Sequence, residues 1–347
     1  MSIIFSLSEL GWRPFFRQQL TFEEWESSQP ARIIAVHRSN LDVAIDGQTI
    51  VIPVIPSMPS LAVGDWILIE NNGFQRLLER QSLFSRKAAG SKVSEQLIAA
   101  NLDTAFIVCS MNQDFNLNRI ERYLALVAEA EVEPVIVLTK QDLCPDAEHF
   151  IDQVRSIDST LQILGVNSLD SESLSILHPW CSPGRTVALI GSSGVGKSTL
   201  VNGLLGQSQQ VTGNIREDDS KGRHTTTGRS LHLTSAGALL LDTPGMREVQ
   251  LAHCESGVEA TFAEITELSE QCQFHDCQHQ SEPGCAVKAA ILTGKIDQRR
   301  LDSYRKLLRE QAMNSASLAE KRSQNKAYTR HIKSVAKSSK RLKQNWE

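Results

Sequence analysis

Between Ala31 and about Gln81, apolar and polar residues alternate in short runs, ARIIAVHR, LDVAIDG, QTIVIPVI, DWILIEN and FQRLLERQ, with Asp46-Gly47 and Asn71-Asn72-Gly73 between them. A period of two marks a strand with one buried face, and Asp-Gly or Asn-Gly pairs supply the backbone of tight hairpins. Short strands at this spacing predict a small closed β-barrel of the oligonucleotide-binding type over residues 31–85. Residues 1–30 carry Trp12, Phe15, Phe16, Leu20, Phe22 and Trp25 without clean periodicity, which predicts only an amino-terminal extension. After the barrel, SRKAAGSKVSEQ has the polarity of a basic linker.

From about residue 95 the pattern changes. TAFIVC, PVIVL, LQILGV, RTVALI and ALLLD are predominantly apolar, and Ile120, Tyr123, Leu124 and Val127 recur at helical spacing between the first two. Apolar strands alternating with amphipathic helices predict a largely parallel sheet covered on both faces, spanning residues 95–250. Ligands of such sheets lie beyond the carboxyl ends of the strands. Residues 251–347 are helical in pattern, interrupted by a Cys/His cluster. A chain of 347 residues is long for one core, so a multi-domain protein is expected. No run of about 18 apolar residues predicts a membrane span. The amino end, MSIIFSLSELGWRPFF, lacks the features of an export leader, so a cytoplasmic location is expected.

The first chemistry lies at GSSGVGKST. Gly191, Gly196, Lys197 and Ser198 satisfy G-x-x-x-x-G-K-[ST], with a predicted strand before them and a predicted helix after. The glycines let the loop Gly191, Ser192, Ser193, Gly194, Val195, Gly196 curl its N–H groups toward phosphates at a helix start. Lys197 is expected to reach the β- and γ-phosphates, Ser198 to ligate Mg²⁺ and Thr199 to contact the α-phosphate.

The base must be chosen elsewhere. Thr139, Lys140, Gln141 and Asp142 follow the strand PVIVL and resemble the guanine-specificity motif Asn-Lys-x-Asp of translation-factor-class GTPases, with threonine in the asparagine position. A carboxylate at Asp142 accepts both N1–H and N2–H of guanine, a pattern adenine lacks. Val166, Asn167 and Ser168 follow LQILG and suit a second base loop, LDTPGMRE resembles the Asp-x-x-Gly switch with Asp242 and Gly245, and GRHTTTGRS offers Thr225 or Thr226 as the switch-one threonine. Base motif, base loop, phosphate loop, switch one and switch two therefore run in a circularly permuted order. The phosphate loop falls late in the chain for that reason, and a permutation leaves the contacts unchanged.

This order, the preceding barrel, HTTT, DTPGMRE and the following Cys/His cluster together resemble the RsgA family of ribosome small-subunit-dependent GTPases, over about residues 31–300. The resemblance implies a central P-loop GTPase domain of α/β type between a barrel and a helical zinc-binding domain. It also implies GTP hydrolysis, stimulated by the small ribosomal subunit, in that subunit's late maturation. Met246 follows the switch-two glycine, where many GTPases carry a water-orienting glutamine, so slow intrinsic turnover is expected and His224 is the candidate for orienting water. A phosphate-loop ATPase or kinase, and a non-catalytic RNA-binding protein with GTP as a structural ligand, are the competing classes.

Cys272, Cys277, His279 and Cys285 give C-x4-C-x-H-x5-C, and three thiolates with one imidazole suit a closed tetrahedral Zn²⁺ site. His275 lies in the first gap as a competing ligand, and the family resemblance favours His279. Charge is unevenly spread: residues 299–347 hold 14 Lys or Arg against 4 Asp or Glu, near +10, leaving near −14 for the rest of a chain of net charge −4. Lys321 to Lys343 contains nine basic residues and no acid, which predicts a segment that orders only on a polyanion, with ribosomal RNA the partner the resemblance implies. A monomer with no membrane partner completes these expectations.

Overall fold

The computed structural model describes residues 5–87, 95–206, 230–242 and 254–315. His224, Thr225, Thr226, Gly245, Met246 and the basic segment from Lys321 lie outside the described residues.

The alternating runs form β1 (Gln29–Val36), β2 (Asn40–Ile45), β3 (Gln48–Pro53), β4 (Trp66–Glu70) and β5 (Gly73–Leu77), paired in the order β3-β2-β1-β4-β5. Ile45 opposes Gln48 across Asp46-Gly47, and Glu70 opposes Gly73 across Asn71 and Asn72, both at positive φ. These are the two-residue hairpins that the turn chemistry dictates. Inward residues such as Ile33, Val43, Ile52 and Ile67 fill the interior. The expected closure is incomplete: among the described residues no ladder joins β3 to β5, and the strands form a partly open barrel. Pro53, Pro56 and Pro59 account for this, because proline brings no N–H to continue the edge of β3.

The predicted linker is instead partly a ladder, with β6 (Leu83–Lys87) antiparallel to β7 (Glu95–Ala100). Its apolar anchors, Phe84, Ile98 and Ala99, are buried. The amino-terminal extension packs on the barrel, with Trp12 and Phe16 ring centroids 4.9 and 5.7 Å from Trp66. Below these rings Arg32, wholly buried, donates to the carbonyls of Leu10, Gly64 and Asn101, the last two at 3.3 and 3.0 Å. Burial pushes its pKa down to about 10, so it stays charged at neutral pH. Arg13 then reaches Asp103 at 2.6 Å, and Asp103 accepts Thr186 N at 2.7 Å, which ties the extension to the central sheet.

That sheet contains β8 (Thr104–Ser110), β9 (Glu133–Thr139), β10 (Gln162–Val166), β11 (Thr186–Ile190), β12 (Ser230–Leu233) and β13 (Leu239–Asp242) in the order β10-β9-β8-β11-β13-β12. All pairs are parallel except β12 with β13. The apolar runs of β8, β9 and β11 are buried on both faces, as a parallel sheet requires, while the edge strand β10 is mostly half-buried. β12 was not among the predicted strands; SLHL is short and half-polar, and it pairs with β1 of the barrel through Ala35 and Ser230. The helix Leu117–Glu129 buries Ile120, Tyr123, Leu124 and Val127 as its periodicity requires, and also Glu121. Helices Glu255–Thr261, Ala263–Ser269, Ala286–Leu292 and Gln298–Ser315 follow. Glu121 receives Arg299 at 3.0 Å and Arg300 at 2.9 Å, and so fastens the last helix to the central layer.

Candidate nucleotide site and metal cluster

The strand order places the ends of β8, β9, β10, β11 and β13 on one sheet edge, and the motif loops leave from those ends. Beyond Ile190 the chain turns at Gly191, where a Cβ would stand 2.3 Å from Val108 O; only glycine lets β11 run so close to β8 at this corner. Ser192 is half-buried, Ser193 and Gly194 are exposed and Val195 is buried, anchoring the loop to the sheet. Gly196, at φ 95°, is the cap of the helix Lys197–Leu205 and has no side chain to occupy the first N–H groups. An anion at this end would meet those N–H groups and the positive end of the helix dipole. The Lys197 ammonium, almost fully buried, donates to Gly191 O at 2.7 Å and to Ser192 O, so it lies across the loop's mouth. Ser198 and Thr199 are half-buried on the first turn behind it.

The base loop sits directly on the phosphate loop. The Thr139 hydroxyl donates to Val195 O at 2.6 Å, and Lys140 Nζ donates to Gly194 O at 3.1 Å. Lys140 is held at φ 62°, a left-handed conformation uncommon for a residue with a side chain and of the kind that clusters at functional sites. Gln141 packs beside β10, where a Cβ on Gly165 would stand 2.9 Å from its Oε1, and Asp142 is exposed on the turn Gln141–Leu143. After β10, Asn167 uses its carboxamide oxygen to accept Leu169 N at 3.0 Å and so shapes its own turn. Ser168 differs: its hydroxyl oxygen is buried without a partner among the described residues, 3.8 Å from where a Cβ on Gly196 would lie. Buried polar atoms are rarely left this way, and this one lies between the base loop and the phosphate loop. Asp242 ends β13, two strands over from β8 beside β11. The structure thus brings Thr139, Lys140, Gly194, Val195, Gly196 and Ser168 together. Under the loop, burial pushes the Cys109 thiol up to about 12, a neutral packing group.

The carboxy-terminal cluster is compact. The ligand atoms of Cys272, Cys277, His279 and Cys285 all lie within 4.8 Å of one another. Cys272 Sγ is 3.9 Å from Cys285 Sγ, and His279 Nδ1 is 3.6 and 3.4 Å from those sulfurs. A tetrahedral zinc requires separations of about 3.8 Å between sulfurs and about 3.5 Å from sulfur to nitrogen, so the donor set is already spaced for a metal. His279 Nε2 lies 3.0 Å from Ser269 Oγ, which orients the ring with Nδ1 inward. Burial, then the nearby Arg305 guanidinium, pushes the imidazole below its ordinary pKa and keeps it a neutral ligand. His275 is exposed and outside the cluster.

The model of the RsgA GTPase family matches residues 77–252. A Vibrio parahaemolyticus protein named small ribosomal subunit biogenesis GTPase RsgA 2 is 58% identical over 341 residues, 98% of this chain and 95% of that protein. The chain belongs to the RsgA GTPase family. Another RsgA, from Mesorhizobium japonicum, is 48% identical over 317 residues, 89% of this chain and 91% of its own. Among solved structures, YjeQ from Thermotoga maritima superposes with a TM-score of 0.62 at 23% identity, covering 82% of this chain and 98% of YjeQ. YloQ, described as a circularly permuted GTPase, gives 0.59 at 22% identity, covering 86% and 99%. These two likenesses show that the chain shares the fold of YjeQ and YloQ. Among the described residues no helix is long and apolar enough to cross a membrane.

Threonine in the asparagine position left open whether residue 139 braces the phosphate loop, and the structure shows its hydroxyl reaching that loop across 56 positions of chain. The Ser269 support of His279 was hidden in the sequence, because the usual partners of a ligating imidazole are carboxylates, backbone carbonyls and water.

Proposed function

We propose that this chain is a GTPase of small ribosomal subunit maturation, hydrolysing GTP to GDP and phosphate with stimulation by the subunit. The observation that carries the reading is the guanine-type loop seated on the phosphate loop, Thr139 on Val195 at 2.6 Å and Lys140 on Gly194 at 3.1 Å, in a chain whose relatives are named for this activity. Lys197 and the loop Gly191 to Gly196 hold the phosphates, and Thr199 supports the α-phosphate. Asp142 accepts the N–H groups of guanine while the stem of Lys140 lies along the ring. Asn167 and Ser168 form the wall behind the base. Ser198 and Asp242 would hold a Mg²⁺, which would supply positive charge against the phosphates. Gly245 and Thr225 or Thr226 sense the γ-phosphate, and His224 orients the attacking water. Cys272, Cys277, His279 and Cys285 hold one structural Zn²⁺, and the tail from Lys321 contacts ribosomal RNA through phosphates. The protein acts as a monomer in the cytoplasm.

The test is multiple-turnover phosphate release from GTP with and without purified small subunits, with ATP as control. Stimulation by at least tenfold for GTP alone is expected; no stimulation, or equal turnover of ATP, contradicts the reading.

A further inference from the structure

We infer that Thr139 is a positioning residue for the phosphate loop and makes no contact with the base, so that the two duties an asparagine could serve here are divided between Thr139 and Ser168. The inference rests on the guanine-nucleotide reading and refines it. Thr139 is 1% exposed at the end of β9, and its Oγ1 lies 2.6 Å from Val195 O and 3.2 Å from Cys109 O. A hydroxyl carries one proton, and the shorter contact takes it. Both neighbours are backbone acceptors, one in the phosphate loop and one at the end of β8, so the oxygen has only lone pairs left. The O6 and N7 edge of guanine also consists of acceptors and calls for donors. Thr139 has none to give.

An asparagine carries two N–H groups and can hold the loop while reaching a base. Threonine is confined to the first task. It performs that task at an influential point, because a Cβ on Gly196 would stand only 3.5 Å from Thr139 Oγ1, directly where the loop becomes the helix. A donor on the same side of Gly196 is the Ser168 hydroxyl, which is buried without a partner among the described residues.

Equilibrium affinities of the full-length protein for GDP and for 7-deaza-GDP, which lacks the N7 acceptor, test this division. Thr139→Val is expected to weaken both by the same factor, about tenfold, as one buried hydrogen bond is lost, leaving their ratio unchanged. Thr139→Ser restores affinity. Thr139→Ser against Thr139→Ala gives the same comparison should valine prevent folding, since both lose the methyl and only one keeps the O–H. Ser168→Ala is expected to weaken GDP severalfold without lowering the melting temperature of the nucleotide-free protein, because that hydroxyl has no partner to lose among the described residues. A ratio that changes in Thr139→Val would place Thr139 on the base and overturn the inference. Unchanged GDP affinity in Thr139→Val and Thr139→Ala, with only a lower melting temperature, would overturn it as well, as would unchanged GDP affinity in Ser168→Ala. Failure of the unaltered protein to bind GDP would overturn the nucleotide reading and this inference with it.

Discussion

Asp142 stands exposed on the turn after β9, held there by the left-handed backbone of Lys140 and by Gln141 packed against β10. The carboxylate is presented to solvent, as a group that accepts two donors from one ring edge must be. Asp142→Asn replaces one acceptor by a donor facing a donor. Its GDP affinity is expected to fall roughly 10- to 100-fold, the cost of about 1–3 kcal/mol for a mismatched polar pair, with ADP affinity little changed. Isothermal titration with both nucleotides checks this, and a parallel loss for ADP would assign Asp142 a merely structural role. The pattern PVIVLTKQD displayed the carboxylate and the strand before it, but the partner of Thr139 depended on tertiary approach.

The helix Leu117–Glu129 shows how elements are joined. One face packs on the sheet, and Glu121 turns away into a cluster with Arg299 and Arg300, while Glu129 accepts Gly257 N at 2.8 Å. Arg300 also lies 4.6 Å from the Phe262 ring, so the last helix is fixed to both the central layer and the preceding helices. Removing one member of a buried ion cluster leaves the others unpaired, so Glu121→Gln is expected to cost about 2–5 kcal/mol; urea unfolding measures it, and a change below 0.5 kcal/mol would show that the cluster is not holding these elements together. A different prediction belongs to the metal cluster. Its ligands come from the turn-rich stretch Cys272 to Cys285 between two seven-residue helices, too little chain to make a core of its own. Chelation is therefore expected to release one equivalent of zinc and to lower the melting temperature while GDP binding persists; release of no zinc would remove the metal from the description. Cysteine spacing announced this site, whereas the ion cluster was invisible, because a glutamate on a helix and two arginines far down the chain look like solvated charges until the fold buries them.

Across the whole molecule the barrel, the sheet and the carboxy-terminal helices are continuous. β12 touches β1 at Ser230 and Ala35, Arg13 crosses to Asp103, and the helix Gln298–Ser315 returns to Glu121. The layers were legible because period two and unbroken apolar runs are set by burial on one face or both. The amino-terminal extension was not: its helices of four and six residues are too short for periodicity, and Trp12 and Phe16 find their place against Trp66. The hairpin β6–β7 was concealed by the polar residues between its buried anchors. The permuted order of the motifs was legible because it resides in the order of the letters alone.

Hydrogen–deuterium exchange with and without GDP, with ADP as control, asks most directly whether those scattered segments make one pocket. Residues 139–143, 166–169 and 191–200 are expected to slow together with GDP and to remain unchanged with ADP. Protection confined to residues 191–200, or the same protection from ADP, would contradict a single guanine-nucleotide pocket.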